Sequence, residues 1–263
     1  MEKLLAIHKK LLDFVDNNVN KFPDKPGLKN ACCLLLFAKS TKTYRAIEHL
    51  CNKGIGYGED AIILSRSLLE NLINLAYIAN PKQEEEQKHR AELFSNWLLI
   101  DWNRFQKGLK ECTSTKTQLR QILQEIDPTT DNYKNAEKLI NDEIQRLKNN
   151  NHQTTKRSWS GLGLKWMADE VGLLDFYYDV VYWHCSQIVH SHPGGIDSYI
   201  KRLPNGNINI CDMPSPNSIE NALTVSLGCY FKVVTLINNV FSFKLDDKLK
   251  EIDTEAANIV KDL

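Results

Sequence analysis

Residues 61–78 read A-I-I-L-S-R-S-L-L-E-N-L-I-N-L-A-Y-I. On a helical period, apolar side chains cover this stretch on every side except one polar row, Ser67, Glu70, Asn71 and Asn74, with Arg66 beside it. A helix that apolar cannot lie on a surface, so other helices must wrap it. The chain is therefore expected to be a multi-helix bundle built around this segment, with the polar row facing side chains brought from elsewhere in the sequence.

The remaining segments agree with an all-α class. Glu2–Asn20 has Leu4, Leu5, Leu11, Leu12 and Val15 on one side and stops at Pro23-Asp24-Lys25-Pro26-Gly27. Leu28–Cys51 keeps helical spacing, and Gly54-Ile55-Gly56-Tyr57-Gly58 ends it with three glycines that permit positive φ. That G-x-G-x-G follows no strand and lacks a Lys-Ser/Thr ending, so it reads as an interhelical turn rather than a phosphate loop. Glu59–Ala79 comes next, then a helix opening on Glu84-Glu85-Glu86, where acid complements the helix dipole, and running towards Cys112. Residues 113–151 turn polar, with Asp127-Pro128 dividing two thin apolar stripes, the second over Tyr133–Lys148. This predicts a protruding helical hairpin, followed by a mobile stretch over 149–158. Leu164–Val171 is a short helix. Ser198–Leu203 and Asn207–Cys211 flank Pro204-Asn205-Gly206, and Asn-Gly is a strong signal for a tight β-hairpin. A long helix from Ser215-Pro216 to about Phe243 and a closing amphipathic helix complete one domain over 1–263. The apolar window 222–241 holds Ser226, Lys232, Asn238 and Asn239, so it is expected to be a core helix and not a membrane span.

The chemistry concentrates at Asp175–Gly195, D-F-Y-Y-D-V-V-Y-W-H-C-S-Q-I-V-H-S-H-P-G-G. On an α period Asp179, Tyr182, Ser186 and His190 share one line, and Pro193-Gly194-Gly195 opens the end. An imidazole there is a candidate general acid or base, and the alternative is a histidine that only caps the helix. Arg66 and Glu70 lie one turn apart, a surface ion pair in the simplest case. In so apolar a helix they read instead as a guanidinium held for a phosphate or carboxylate, with Asn74 beside them. His190, Arg66 and Glu70 are thus the candidate catalytic residues, and Tyr182, Ser186, Asp179 and Asn74 the candidate substrate contacts. His190-x-His192 with Cys185 does not make a metal site, because residues two apart on a helix diverge. Cys185 on an apolar face keeps its thiol protonated. Nothing calls for a cofactor, and the five tryptophans suit a core at helical spacing.

Thirty-three basic and thirty-three acidic side chains cancel, so no global field recruits nucleic acid and any contact with RNA must be local. Seven cysteines, odd in number and without a C-x-x-C pair, read as reduced. With no apolar leader and cleavage site at the N-terminus, a cytoplasmic location without membrane attachment is expected.

R-S-L-L-E at Arg66–Glu70, W-S-G at Trp159–Gly161 and Y-W-H-C-S-Q-I-V-H at Tyr182–His190 resemble a bacterial family of helical proteins catalogued as a domain of unknown function. Its members show an R-S-x-x-E helix and later a Tyr-x-x-x-Ser-x-x-x-His helix. The resemblance runs from about Tyr44 to Gly195. More distantly, a helix ending in His before a glycine turn resembles the HEPN superfamily, which includes toxin and phage-defence ribonucleases and usually carries Arg and His on one helix. No Arg stands four to seven residues before His190 here. The resemblance implies a metal-independent ribonuclease or nucleotide-acting effector, with Arg66 supplying the missing arginine from another helix; a homodimer is expected as well. The alternative is a non-catalytic module whose polar cluster is structural and whose 113–151 hairpin meets a protein partner.

Overall fold

The computed structural model describes residues 1–19, 22–111, 128–190, 200–210 and 216–261. It is helical, with α1 at Glu2–Asn18, α2 at Leu28–Lys53, α3 at Gly58–Ala79, α4 at Glu84–Glu111, α5 at Asp131–Asn149 and α6 at Leu164–Glu170. A π-helical segment, Leu174–Tyr182, continues directly into α7, Trp183–Val189. After β1, Ile200–Arg202, and β2, Ile208–Ile210, come α8 at Pro216–Phe241 and α9 at Asp246–Lys261. Several helix ends fall at proline and glycine breaks, with Gly27 before α2, Gly54 after it, Pro81 after α3 and Pro216 opening α8, because those residues act on their own φ and on their immediate neighbours. By contrast, α5 ends near Asn151 and α8 near Ser242 and Lys244, all with positive φ. The chain divides into two compact units, residues 1–80 with 167–263, and residues 81–166.

In the first unit α3 packs between α2 and α8. Leu68, Leu69, Leu72, Ile73, Leu75, Ala76, Tyr77 and Ile78 of α3 are all buried. Ile63, Arg66, Ser67, Glu70 and Asn74 form a stripe with partial exposure. The polar row of the sequence is thus the open edge of the central helix, except for Asn71, which is buried. On α8, Ile219, Ala222, Leu223, Leu227, Tyr230, Val233, Val234 and Ile237 are buried between the neighbouring helices, as expected of a core helix. Both α3 and Asn217–Phe241 are long and apolar enough to cross a membrane, and here each is packed against the other.

Two details of this core were not expected. Of the three loop glycines, Gly54 alone takes a positive φ, +126°. Gly58 serves close approach instead: a Cβ there would stand 2.8 Å from the Ser218 Cβ and 3.0 Å from the Ile219 nitrogen. His8 of α1 is fully buried, its Nε2 2.9 Å from the Leu223 carbonyl and its ring stacked 4.6 Å from Tyr44. The hairpin appears at its expected place, with Ile200 opposite Ile210 and Gly206 at φ +82°. Residues 198, 199 and 211 of the expected strands lie outside the described residues.

The second unit is built on α4 and α5. Thr130 caps α5 by accepting from the Tyr133 amide. Tyr133, Ala136, Ile140, Ile144 and Leu147 are buried, as are Ala91, Leu93 and Ile100 of α4, so α5 belongs to a core of its own rather than to a thin protrusion. The other arm of the expected hairpin, residues 113–127, lies outside the described residues. Residues 149–158, expected to be loosely held, are tied down. The Thr155 amide donates to the Gly161 carbonyl at 2.8 Å, Thr154 bridges Leu162, and the Arg104 guanidinium donates to the Lys156 carbonyl. W-S-G is the anchor of that loop. Trp159 packs edge-on against Phe94, Ser160 is fully buried, and Gly161 at φ +72° sits against Leu147 and Ile144, where a Cβ would crowd both.

Candidate functional site

The open edge of α3 is met by the π segment and α7. The Arg66 guanidinium reaches three groups at once: Nε donates to Glu70 Oε1 at 3.1 Å, Nη2 to the Tyr182 hydroxyl at 2.8 Å, and Nη1 lies 3.4 Å from His190 Nε2. A guanidinium has no acceptor, so in this contact His190 Nε2 presents its lone pair to Arg66. The Arg66 side chain is 17% exposed and that of Glu70 39%, while His190 is exposed at the end of α7. The cluster therefore sits at the surface with its cation mostly sheltered. Burial works against the charge of Arg66, but Tyr182 and Glu70 more than offset it, so its pKa lies above its ordinary value. Burial, with Glu70 adding to it, likewise holds the Tyr182 phenol above its usual range against the pull of Arg66.

The structure thus brings together Arg66, Glu70, Tyr182 and His190. Ser186 and Asn74 stand beside them with their side chains turned to backbone. Ser186 Oγ donates to the Tyr182 carbonyl at 2.6 Å and Asn74 Nδ2 to the Glu70 carbonyl at 2.8 Å. Asp179 is exposed, and no hydrogen bond or ion pair among the described residues joins it to Arg66 or His190. The reason is the winding of Leu174–Tyr182. A π turn closes from i to i+5, so the residue three before Tyr182 swings out of line while the one four before it moves beneath. That residue is Tyr178, whose ring stacks on Tyr182 at 4.8 Å and 11°, and the Arg66 guanidinium lies 4.7 Å from the Tyr182 centroid. The α-period line missed Tyr178, and nothing in the local sequence marks the wider winding.

Other expectations can be placed in the same way. Cys185 is buried, and burial pushes its thiol up to about 12, against an opposing pull from Arg66, so it stays protonated. Among the described residues no group of three or more His, Cys, Asp and Glu gathers where a metal could bind, and His192 lies outside them. Trp159 is core, whereas Trp102, Trp166 and Trp183 are 41%, 40% and 60% exposed, more than their helical spacing suggested.

Sequence reasoning also missed a charged cluster inside the second unit. Glu143, 3% exposed, accepts from Arg146 Nε at 2.7 Å and Nη2 at 2.8 Å and lies 3.0 Å from His89 Nε2; Glu86 bonds Arg90 and Arg146. The signal was present: Glu143 falls on the buried line of α5 between Ile140 and Leu147.

Neither a search of curated proteins nor one of solved structures returns a match. A family profile does match, over residues 30–208, a span that takes in α3, the W-S-G loop and the whole Arg66–His190 cluster. Because that match covers more than half of the chain, including the helices that meet at the site, this protein belongs to the family of unknown function DUF5677.

Proposed function

We propose that the Arg66–Tyr182–His190 cluster is the active site of a HEPN-like, metal-independent ribonuclease, an effector of the kind used in phage defence or toxin systems. The observation that carries this reading is the 3.4 Å approach of Arg66 Nη1 to His190 Nε2, two residues 124 positions apart on different helices. A fixed cation beside an imidazole lone pair at the surface suits transfer within a phosphodiester. The substrate phosphate takes over the Arg66 Nη1 donor, which frees the His190 Nε2 lone pair to take the proton of a ribose 2′-hydroxyl, whose oxygen attacks the adjacent phosphorus. Arg66 offsets the charge that builds on the non-bridging oxygens, and the 5′-oxygen leaves with a proton from water, so the product carries a 2′,3′-cyclic phosphate. Glu70 and Tyr182 hold the guanidinium plane in place for this.

The test is single-stranded RNA incubated with the purified protein in a chelator, with the ends of the products identified. His190→Ala and Arg66→Ala should abolish cleavage while Tm stays within a few degrees of wild type. Cleavage that persists in His190→Ala would remove the histidine from the reaction. One observation favours the second reading, a non-catalytic module with a partner docked on 113–151: three donors of Arg66 are already engaged by Glu70, Tyr182 and His190. On that reading the same variants lower Tm, no RNA is cut, and shortening 113–127, which leaves the buried α5 intact, abolishes partner binding.

A further inference from the structure

Away from that cluster, the first unit holds a pocket of about 560 Å³ between α3, the π segment, α8 and α9. This volume is in the range of sites for drug-sized ligands. Leu72, Leu227, Phe231, Leu236 and Val260 make most of its lining apolar. Ala76, Gly228 and Ala257 contribute almost no side chain, which keeps the space open. None of its lining residues is Arg66, Glu70, Tyr182 or His190, so the occupancy of this pocket is independent of the ribonuclease reading.

Asn80, Thr224 and Thr235 are also polar, but the two charges of the lining are Lys232 and Asp253, with the Tyr177 hydroxyl beside them. The Lys232 ammonium lies 5.3 Å from the Tyr177 ring centroid. The Tyr177 hydroxyl makes no hydrogen bond among the described residues, and a Cβ on Gly228 would stand 3.5 Å from it. Burial chiefly, then the nearby Cys229 and Asp253, pushes this phenol above its ordinary range, so it remains a donor. Lys232 and Asp253 are both exposed, and neither forms an ion pair among the described residues. Two opposite charges therefore stand at one apolar pocket without neutralising each other. A purely anionic ligand meets Asp253 as a like charge, and a purely cationic one meets Lys232. A head with both signs satisfies both, with the Tyr177 hydroxyl donating to its anionic part.

We propose that this pocket binds a zwitterionic amphiphile, its single apolar chain among Leu72, Leu227 and Leu236 and its head between Lys232 and Asp253. The probe is dodecylphosphocholine below its micelle concentration, titrated calorimetrically into the full chain beside dodecanoate and dodecyltrimethylammonium. The zwitterion should bind about tenfold tighter than either singly charged chain. Lys232→Gln and Asp253→Asn should each remove that preference. Gly228→Leu, which places a side chain into the pocket, should abolish binding of all three, and Ala257→Leu, at an exposed position of the lining, serves if the first variant does not fold. Equal binding of the three amphiphiles, or a preference indifferent to Lys232 and Asp253, would overturn the charge argument. Unchanged binding in a folded Gly228→Leu or Ala257→Leu variant would overturn the location, as would failure of dodecylphosphocholine to bind at all.

Discussion

The buried His8 makes the stability of the first unit depend on pH in a window where few other groups titrate. Its Nε2 lies 2.9 Å from the Leu223 carbonyl and so carries the proton, while Nδ1 is buried with no partner. A second proton would place a cation against Tyr44 in the core, and burial lowers the His8 pKa to about 4, against a smaller opposing effect of the Leu223 hydrogen bond. In the unfolded chain the same imidazole titrates near 6.5. Between these two values the unfolded state binds more protons than the folded one, so stability falls as pH falls. At roughly 1.4 kcal/mol per tenfold in affinity, the full loss is about 3 kcal/mol below both values, of which about 2 kcal/mol disappears between about pH 7 and 5. Urea unfolding of wild type and His8→Leu, followed at both pH values, isolates the contribution: stability of wild type should drop by about 2 kcal/mol more than that of the variant. The double difference removes carboxylates common to both and any constant cost of the substitution. Parallel declines in the two proteins would refute the reasoning, because only a histidine that could be protonated in the folded state at no cost would produce them.

The remaining predictions concern charges and close contacts. Glu70→Gln leaves a sheltered guanidinium without its charge partner and should cost about 1 kcal/mol, discounted for the partial exposure of Glu70; Arg66→Lys should lose RNA cleavage, since an ammonium lacks the planar fork, and near-neutral stability with full activity in both would argue against a site here. In the second unit Glu143 is held at about 2: burial alone would raise it, but His89 and Arg146 outweigh that. Its contribution should be complete above about pH 4.5, fade as pH falls towards 2, and be absent from Glu143→Gln, which at neutral pH should be about 2 kcal/mol less stable by denaturant midpoint. Gly58→Ala should destabilise the first unit by about 2 kcal/mol through a clash with Ser218 and the Ile219 amide, read as a drop in Tm; an unchanged Tm would mean that α3 and α8 can separate freely there.

The helices and the hairpin were legible in the sequence because their causes are local. Pro26 and Gly27 open α2, Gly54 ends it, and Asn205-Gly206 turns one short strand on the next, each through its own φ or that of a neighbour. The open edge of α3 was also legible, since a polar row on an otherwise apolar helix has few places to go. What the sequence left undecided depended on distant packing. The α-period line through Asp179, Tyr182, Ser186 and His190 assumed a winding that Leu174–Tyr182 does not keep, and a change of helical pitch over nine residues exchanged Asp179 for Tyr178. His8 and Glu143 are polar letters on buried lines, and only the partners that reach them, Leu223 for one and His89 with Arg146 for the other, make such burial tolerable. Arg66 and His190 meet because α7 packs on α3, and a contact across 124 residues is fixed by the shape of the whole unit, which no local spacing encodes.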